Sequence, residues 1–167
     1  MVNEDTSRPG ATGQPLDDEG RVLRLGLVPS DLNKGFVSAN VFSLSSEEKR
    51  IPPHWLSVWE ESLTTPEQAY AMATNKNRRL AIRLTVRDIR GIRIEEAGEQ
   101  QLLAVVWDRL EYVWDDGGKL NADAPAGAAG HCGIIGLQDI HRKQLRKRLA
   151  DLASQPGSWW VLPEQGS

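Results

Sequence analysis

The sequence predicts an α+β protein with one mixed, mainly antiparallel sheet of short strands and two main helices. Short apolar segments of strand length recur along the chain, separated by Gly, Pro and charged residues. A helix-capping pattern stands at Thr65, and a cationic helix pattern follows Asp139. With 167 residues, 40% of them hydrophobic, the chain has room for one core.

The first 20 residues differ in composition from the rest of the chain. They contain almost no large apolar side chain, and five acids stand there against a single basic residue, Arg8. Such a segment cannot bury enough apolar surface to offset its ordering entropy. We therefore predict a disordered acidic tail over 1–20, a single globular domain over 21–163 and a flexible C-terminus over 164–167. The formal net charge of the whole chain is −3, so the domain itself is nearly neutral.

The first half of the domain contains two predicted strands and a compact apolar segment. Arg21–Val28 is short, apolar-rich and followed by Pro29, and Gly35–Leu44 can hold a second strand. The charged run Ser46–Arg50 predicts a break, and the apolar segment Trp55–Trp59 comes after it.

The clearest local signal is the helix start at Thr65. Thr65 suits the N-cap, Pro66 suits the first helical position, and Gln68 completes a capping box. The pattern predicts a helix over about 66–75.

The second half begins with an alternating segment, Leu80–Val86, which predicts a half-buried strand followed by a short helical turn. Ile92–Glu95 and Gln101–Trp107 stand on either side of a glycine and predict a hairpin. Leu110–Trp114 predicts a further strand.

The last quarter of the domain begins with a long loop of small residues over 115–130, a length typical of functional or mobile loops. His131–Leu137 predicts a buried strand interrupted by glycine. A basic helix is predicted over about 139–153, and Trp159–Leu162 predicts a final short strand.

Two polar residues in apolar surroundings are the candidates for chemistry. His131 is predicted at the mouth of its strand, where an imidazole could act as acid, base or ligand-binding group, or could cap loop carbonyls. Ser57 stands between Leu56 and Val58 and needs a hydrogen-bond partner if it is buried. Cys132 follows His131 but should point to the opposite face of the strand, so the two cannot form a dyad.

No motif in the sequence predicts a metal site or a cofactor. The three histidines are scattered, a single cysteine gives no paired-cysteine motif, and no phosphate-binding glycine motif or nucleophile elbow is found. The acids that could form a carboxylate group are more simply explained as turn residues. These acids are Asp108, Asp115, Asp116 and Asp123.

The helix over 139–153 carries the basic patch of the chain, including Arg142 and Arg146. Such a patch could contact the phosphate backbone of a nucleic acid. We favour a solvated helix face instead, because the domain is nearly neutral and no nucleic-acid motif accompanies the patch.

The order of several short motifs resembles that of a diffuse group of small uncharacterised bacterial proteins. The motifs are Leu56-Ser57-Val58, Pro66-Glu67, the strand with His131, Ile134 and Gly136, the basic helix, and Trp159-Trp160. This resemblance implies one domain over about 21–163 and no particular activity. The compact sheet with its Leu-Ser-Val segment also resembles ADP-ribosyltransferase-like folds, but no matching catalytic Glu is found.

Two hypotheses about function follow. We favour a non-enzymatic binding or accessory module of a bacterial system, such as a defence or toxin system, whose partner is another protein. The missing catalytic motifs, the six tryptophans and the acidic tail support it.

No apolar run is long enough to cross a membrane and no signal peptide is recognisable, so we expect a soluble cytoplasmic protein.

The alternative is a small enzyme acting on a nucleotide or nucleic acid. Ser57 and His131 would line its pocket, and Arg24 or Arg83 would bind phosphate, with Trp59 as a further candidate binding residue. Convergence of Ser57, His131 and an arginine in one concave pocket would favour this enzyme.

Overall fold

The computed structural model of the protein describes residues 9–164, and a six-stranded antiparallel sheet forms its centre. The spatial order of the strands is β6–β7–β4–β1–β5–β8, and β2 and β3 form a separate two-stranded sheet. The predicted fold class, α+β with a mainly antiparallel sheet, is confirmed. The strands are β1 (Arg21–Gly26), β2 (Leu32–Asn33), β3 (Phe36–Val37), β4 (Leu56–Glu60), β5 (Leu80–Thr85), β6 (Ala104–Trp107), β7 (His131–Ile135) and β8 (Trp159–Val161).

Four α-helices accompany the sheet: α1 (Ser46–Arg50), α2 (Pro66–Met72), α3 (Val86–Arg90) and α4 (Arg142–Ala153). The two longest, α2 and α4, are the predicted main helices. The predicted capping box at Thr65 is confirmed, because the Thr65 hydroxyl accepts from the Gln68 N–H and the Gln68 side chain accepts from the Thr65 N–H. No helix within residues 9–164 is long and apolar enough to span a bilayer.

Helix α1 replaces the predicted charged break. Ser45 caps it, and Glu48 completes a second capping box by accepting a hydrogen bond from the Ser45 N–H. This helix matters for function because it places the Glu48 carboxylate against β4.

Three predicted strands are wrong in extent or type. The segment Gly35–Leu44 forms only the two-residue β3 and then a 3₁₀ helix over Ala39–Phe42. The predicted hairpin does not form, since Glu95–Ala97 is a 3₁₀ helix and β6 pairs with β7 instead. Glu111–Val113 is likewise a 3₁₀ helix. Val41, Phe42, Ile94 and Val113 in these segments enter the core from irregular backbone.

The sheet carries helices on both faces. Helices α3 and α4 cover one face and enclose the main core, which includes Val22, Ile82 and Cys132 from the strands. Helix α2 covers the other face over a smaller cluster. The buried members of this cluster are Leu25, Ala69, Tyr70, Ala81 and Leu162. All six tryptophans are half-buried rather than fully enclosed.

Residues 9–16 lie along the outer edge of β6, and residues 17–20 contact α3. The N–H of Gly13 donates to the carbonyl of Trp107, and the N–H of Leu16 donates to the carbonyl of Val105. The Leu16 side chain is buried in the main core. These contacts lie within the range 1–20, for which the composition predicts a disordered tail. A single leucine among polar residues does not change the composition enough to indicate that it is buried. Residues 1–8 of that range, and 165–167 of the predicted flexible C-terminus, lie outside the described residues.

Candidate functional site

Ser57 and His131 lie side by side on neighbouring strands. In the antiparallel pair β4–β7, Ser57 is opposite Gly133 and Trp59 is opposite His131. Ser57 and His131 are therefore diagonal neighbours on one face of the sheet, which brings their side chains within reach. His131 Nε2 is 3.0 Å from Ser57 Oγ.

The hydrogen bonds of His131 define which nitrogen carries its proton. Nδ1 lies 2.8 Å from the main-chain carbonyl oxygen of Asp108, which can only accept. Nδ1 is therefore protonated, and Nε2 is left to accept the Ser57 hydroxyl proton. The Asp108 N–H donates in return to the His131 carbonyl, and Asp108 Oδ2 lies 3.5 Å from Nδ1.

Burial keeps the imidazole neutral. His131 is only 7% exposed, and this burial lowers its pKa below the ordinary value of 6.5. The hydrogen bond to the Asp108 carbonyl and the charges of Asp108 and Glu48 oppose the shift without cancelling it. Burial raises the pKa of the Asp108 carboxyl, and the neighbouring His131 opposes that shift. The lone pair of Nε2 is thus available at neutral pH.

Two tryptophans enclose the serine–histidine pair. The Trp59 ring meets His131 edge-on at 4.9 Å between centroids. Trp55 packs over Gly133, where an added Cβ would lie 2.7 Å from the Trp55 side chain. Glycine at 133 is therefore what allows Trp55 to approach the sheet next to Ser57. Cys132 faces the core on the other side, and burial raises the pKa of its thiol, so the predicted separation from His131 is confirmed.

A buried ion pair holds the main chain of Ser57. The pairing between β1 and β4 covers only two residue pairs and stops short of Ser57. Arg24 Nη1 donates to the Ser57 carbonyl at 2.9 Å, and Glu48 Oε2 accepts from the Ser57 N–H at 2.5 Å. Arg24 and Glu48 bind each other at 2.9 Å. Two side chains thus satisfy the Ser57 main-chain groups and hold the residue in place.

The Glu48 carboxylate remains ionised in this setting. Burial by itself would raise its pKa, but the charge and hydrogen bonds of Arg24 lower it, helped by the N–H groups of Ser45 and Ser57. The net effect is a lowered pKa, because the favourable interactions exceed the desolvation. Arg24 has hydrogen bonds to Glu48, to Ser57 and to the carbonyl of Val41, so its donors are occupied.

Ser57 lines a pocket between α1 and α2. The cavity has a volume of about 320 Å³, within the range of small-ligand sites. Trp59, Arg24 and Glu48 contribute to its walls, together with Arg78 from the turn between α2 and β5. His131 is not a wall residue and reaches Ser57 from within the sheet.

The structure brings together four of the seven predicted site residues: Ser57, His131, Arg24 and Trp59. Arg83 is engaged elsewhere, because Nε donates to Glu61 at 2.8 Å and the guanidinium stacks on Trp160 at 4.9 Å.

Arg142 and Arg146 lie on α4, on the opposite face of the sheet from the pocket. Arg142 is exposed in the first turn and donates to the carbonyl of Asp139. Arg146 buries its Nε without a hydrogen-bond partner among residues 9–164. Neither residue contributes to the pocket around Ser57.

Three residues of the site, Glu48, Asp108 and Arg78, are not among the predicted site residues. Glu48 had a usable signal, since Ser45 followed by Glu48 three residues later is the capping-box pattern. The sequence predicts Asp108 to be a turn acid, whereas its role here depends on its main-chain carbonyl, which no side-chain pattern reports. Arg78 stands in a polar turn, and no spacing connects it to Ser57.

Three further cavities differ from this pocket in the side chains that line them. Their volumes are about 340, 530 and 490 Å³, and no serine, histidine or cysteine lines them. Within residues 9–164, no three His, Cys, Asp or Glu side chains cluster in a way that could hold a metal ion. The pocket at Ser57 is therefore the best candidate site.

The fold and the site together define an α+β protein in which a buried histidine contacts a half-buried serine in the wall of an arginine-containing pocket. No protein-family model, curated protein or solved structure matches the chain.

Proposed function

We propose that the protein is a small enzyme in which Ser57 is the nucleophile and His131 is the general base. The observation that carries this proposal is the 3.0 Å hydrogen bond between Ser57 Oγ and His131 Nε2, with the imidazole oriented by Asp108. A nucleophile, a base and an orienting group in hydrogen-bond contact form the arrangement that activates serine in acyl and phosphoryl transfer.

The reaction begins when a ligand in the pocket presents an electrophilic carbon or phosphorus to Ser57. Oγ forms a bond to that atom while its proton passes to Nε2 of His131. The proton then moves from Nε2 to the leaving group as its bond breaks. The Asp108 carboxylate, 3.5 Å from Nδ1, stabilises the transient imidazolium. A water molecule, deprotonated by His131 in the same way, releases the product and restores Ser57.

The main-chain contacts of Ser57 support this role. Arg24 and Glu48 occupy its carbonyl and N–H groups, so the backbone position of the nucleophile is set before any ligand binds. Such preorganisation contributes to catalysis because the ligand does not have to order the serine.

The non-enzymatic binding module favoured by the sequence remains the competing hypothesis. It rests on the missing catalytic motifs, the six tryptophans and the acidic tail, whereas the contact between Ser57 and His131 favours an enzyme. The two hypotheses differ in whether Ser57 reacts.

The test is covalent labelling with a fluorophosphonate probe, followed by intact-mass measurement. The Ser57 oxygen would bond to phosphorus with loss of fluoride. We expect one adduct on the wild type, none on Ser57→Ala, and labelling slowed roughly 100-fold or more in His131→Gln, because general-base assistance is lost. Ser62→Ala removes an exposed serine nearby and should label like the wild type.

Two controls accompany the labelling. Circular dichroism must show that Ser57→Ala and His131→Gln remain folded. An unlabelled wild-type protein, or a folded Ser57→Ala that still labels, would reject the enzyme and leave the binding module as the better hypothesis.

A further inference from the structure

We infer that Arg78 binds the phosphate group of a small ligand in the pocket at Ser57, and that this ligand also carries an apolar, planar part. The inference names the substrate class of the proposed enzyme and rests on that function for the location of the site. The binding itself can be measured without any reaction.

Arg78 differs from Arg24 and Arg83, the arginines predicted to bind phosphate, because its side chain has no partner among the described residues. Arg24 is paired with Glu48, and Arg83 is paired with Glu61. The side chain of Arg78 is half-buried in the pocket wall and makes no hydrogen bond or ion pair with residues 9–164. Its five N–H donors are thus directed to neither a carboxylate nor a carbonyl of the described chain.

The charges around Arg78 favour an anion. Burial and the positive charge of Arg24 lower the pKa of Arg78, while the more weakly acting charges of Glu48 and Asp31 oppose this. Glu48 is already bound to Arg24, and the remaining acid of the wall, Glu47, has an exposed side chain. An anion beside Arg78 would offset the repulsion between the two guanidinium groups. Arginine suits phosphate in particular, because its planar fork can bind two oxygens.

The rest of the wall is apolar on the α2 side. Trp59, Ala69 and Met72 line it together with the methyl group of Ala73. A free inorganic anion would leave these surfaces unused, whereas a phosphate ester of a flat organic group would cover them. A cavity of about 320 Å³ suits a ligand no larger than a mononucleotide.

The test is isothermal titration calorimetry on the Ser57→Ala variant, which retains the pocket but cannot react. The probes are AMP, phenyl phosphate and adenosine. We expect both phosphates to bind and adenosine to bind at least 10-fold more weakly. Adding Arg78→Gln should weaken phosphate binding at least 10-fold, and Arg78→Lys should retain part of it.

Arg50→Gln is the matched control, because it removes an arginine from the exposed end of α1 outside the pocket wall. It should leave the affinity for AMP unchanged. The inference is overturned if neither phosphate binds, if adenosine binds as well as AMP, or if Arg78→Gln and Arg50→Gln have equal effects.

The outcomes separate this inference from the proposed reaction. Phosphate binding through Arg78 without fluorophosphonate labelling would support the ligand class and reject the nucleophile. Labelling of Ser57 without phosphate binding would support the nucleophile and reject the ligand class.

Discussion

At the scale of single residues, His131 shows how burial and one carbonyl determine a protonation state. The Asp108 carbonyl requires a proton on Nδ1, and the low exposure of the ring disfavours a second proton on Nε2. A neutral ring facing a serine hydroxyl can accept its proton. Because the buried ring resists protonation, the stability that His131 contributes should depend on pH.

The stability of the protein should fall as the pH drops below 6.5. The folded-state pKa of His131 lies below this ordinary value, so the unfolded chain takes up the proton first. The contribution of His131 to the free energy of unfolding is complete above pH 6.5 and is lost as the pH falls through the folded-state pKa. Urea unfolding between pH 7.5 and 5 should show this loss in the wild type.

His131→Gln should have a weaker pH dependence over the same interval, because it lacks the titrating ring. The raised pKa of Asp108 gives the free energy of unfolding the opposite pH dependence, because the folded state binds the Asp108 proton more readily than the unfolded chain. Equal slopes for the wild type and His131→Gln would contradict the argument.

At the scale of elements, the pair Arg24–Glu48 joins α1 to the point where β1 and β4 stop pairing. The side chains of both residues are only 10% exposed. The capping box at Ser45 positions Glu48, so a short helix contributes directly to the geometry of Ser57.

Replacing Arg24 with Met should strongly destabilise the protein. The change leaves the Glu48 carboxylate buried without its cation, a situation that costs about 3–5 kcal/mol. Urea denaturation would measure the loss. Arg50→Met, at the exposed end of α1, should change the free energy of unfolding by less than about 0.5 kcal/mol.

The double variant Arg24→Met with Glu48→Met should recover part of the lost stability, because no charge is then left buried alone. If Arg24→Met is no more harmful than Arg50→Met, the pair does not hold β1, β4 and α1 together.

At the scale of the whole molecule, residues 9–16 close one edge of the sheet. Their hydrogen bonds occupy the outer side of β6, and Leu16 enters the main core. An edge strand covered in this way cannot pair with another chain. The segment therefore contributes to the fold despite its polar composition.

Leu16→Ala should lower the free energy of unfolding by about 2–5 kcal/mol, because it empties a buried site in the core. Asp17→Ala changes an exposed neighbour and should have little effect. Chemical denaturation of the two variants provides the comparison. A negligible effect of Leu16→Ala would contradict the burial of this side chain in the core and would favour the disordered tail predicted over 1–20.

The sequence by itself determined what depends on local pattern. The capping box at Thr65, the alternation along β5 and the opposite directions of His131 and Cys132 follow from helix and strand geometry. Ser57 and His131 were recognisable because each is a polar residue in an apolar segment. Apolar pattern alone did not separate β strands from buried irregular backbone, as the failed hairpin near Ile94 shows.

The tertiary structure decided which residues meet. Ser57 and His131 are 74 positions apart, and only the pairing of β4 with β7 in one register makes them neighbours. That register reflects the packing of both faces of the sheet, which no segment encodes alone. The same packing engages Arg24 with Glu48 and leaves Arg78 in the pocket wall. Long-range pairing, rather than residue type, distinguishes a structural arginine from one available to a ligand.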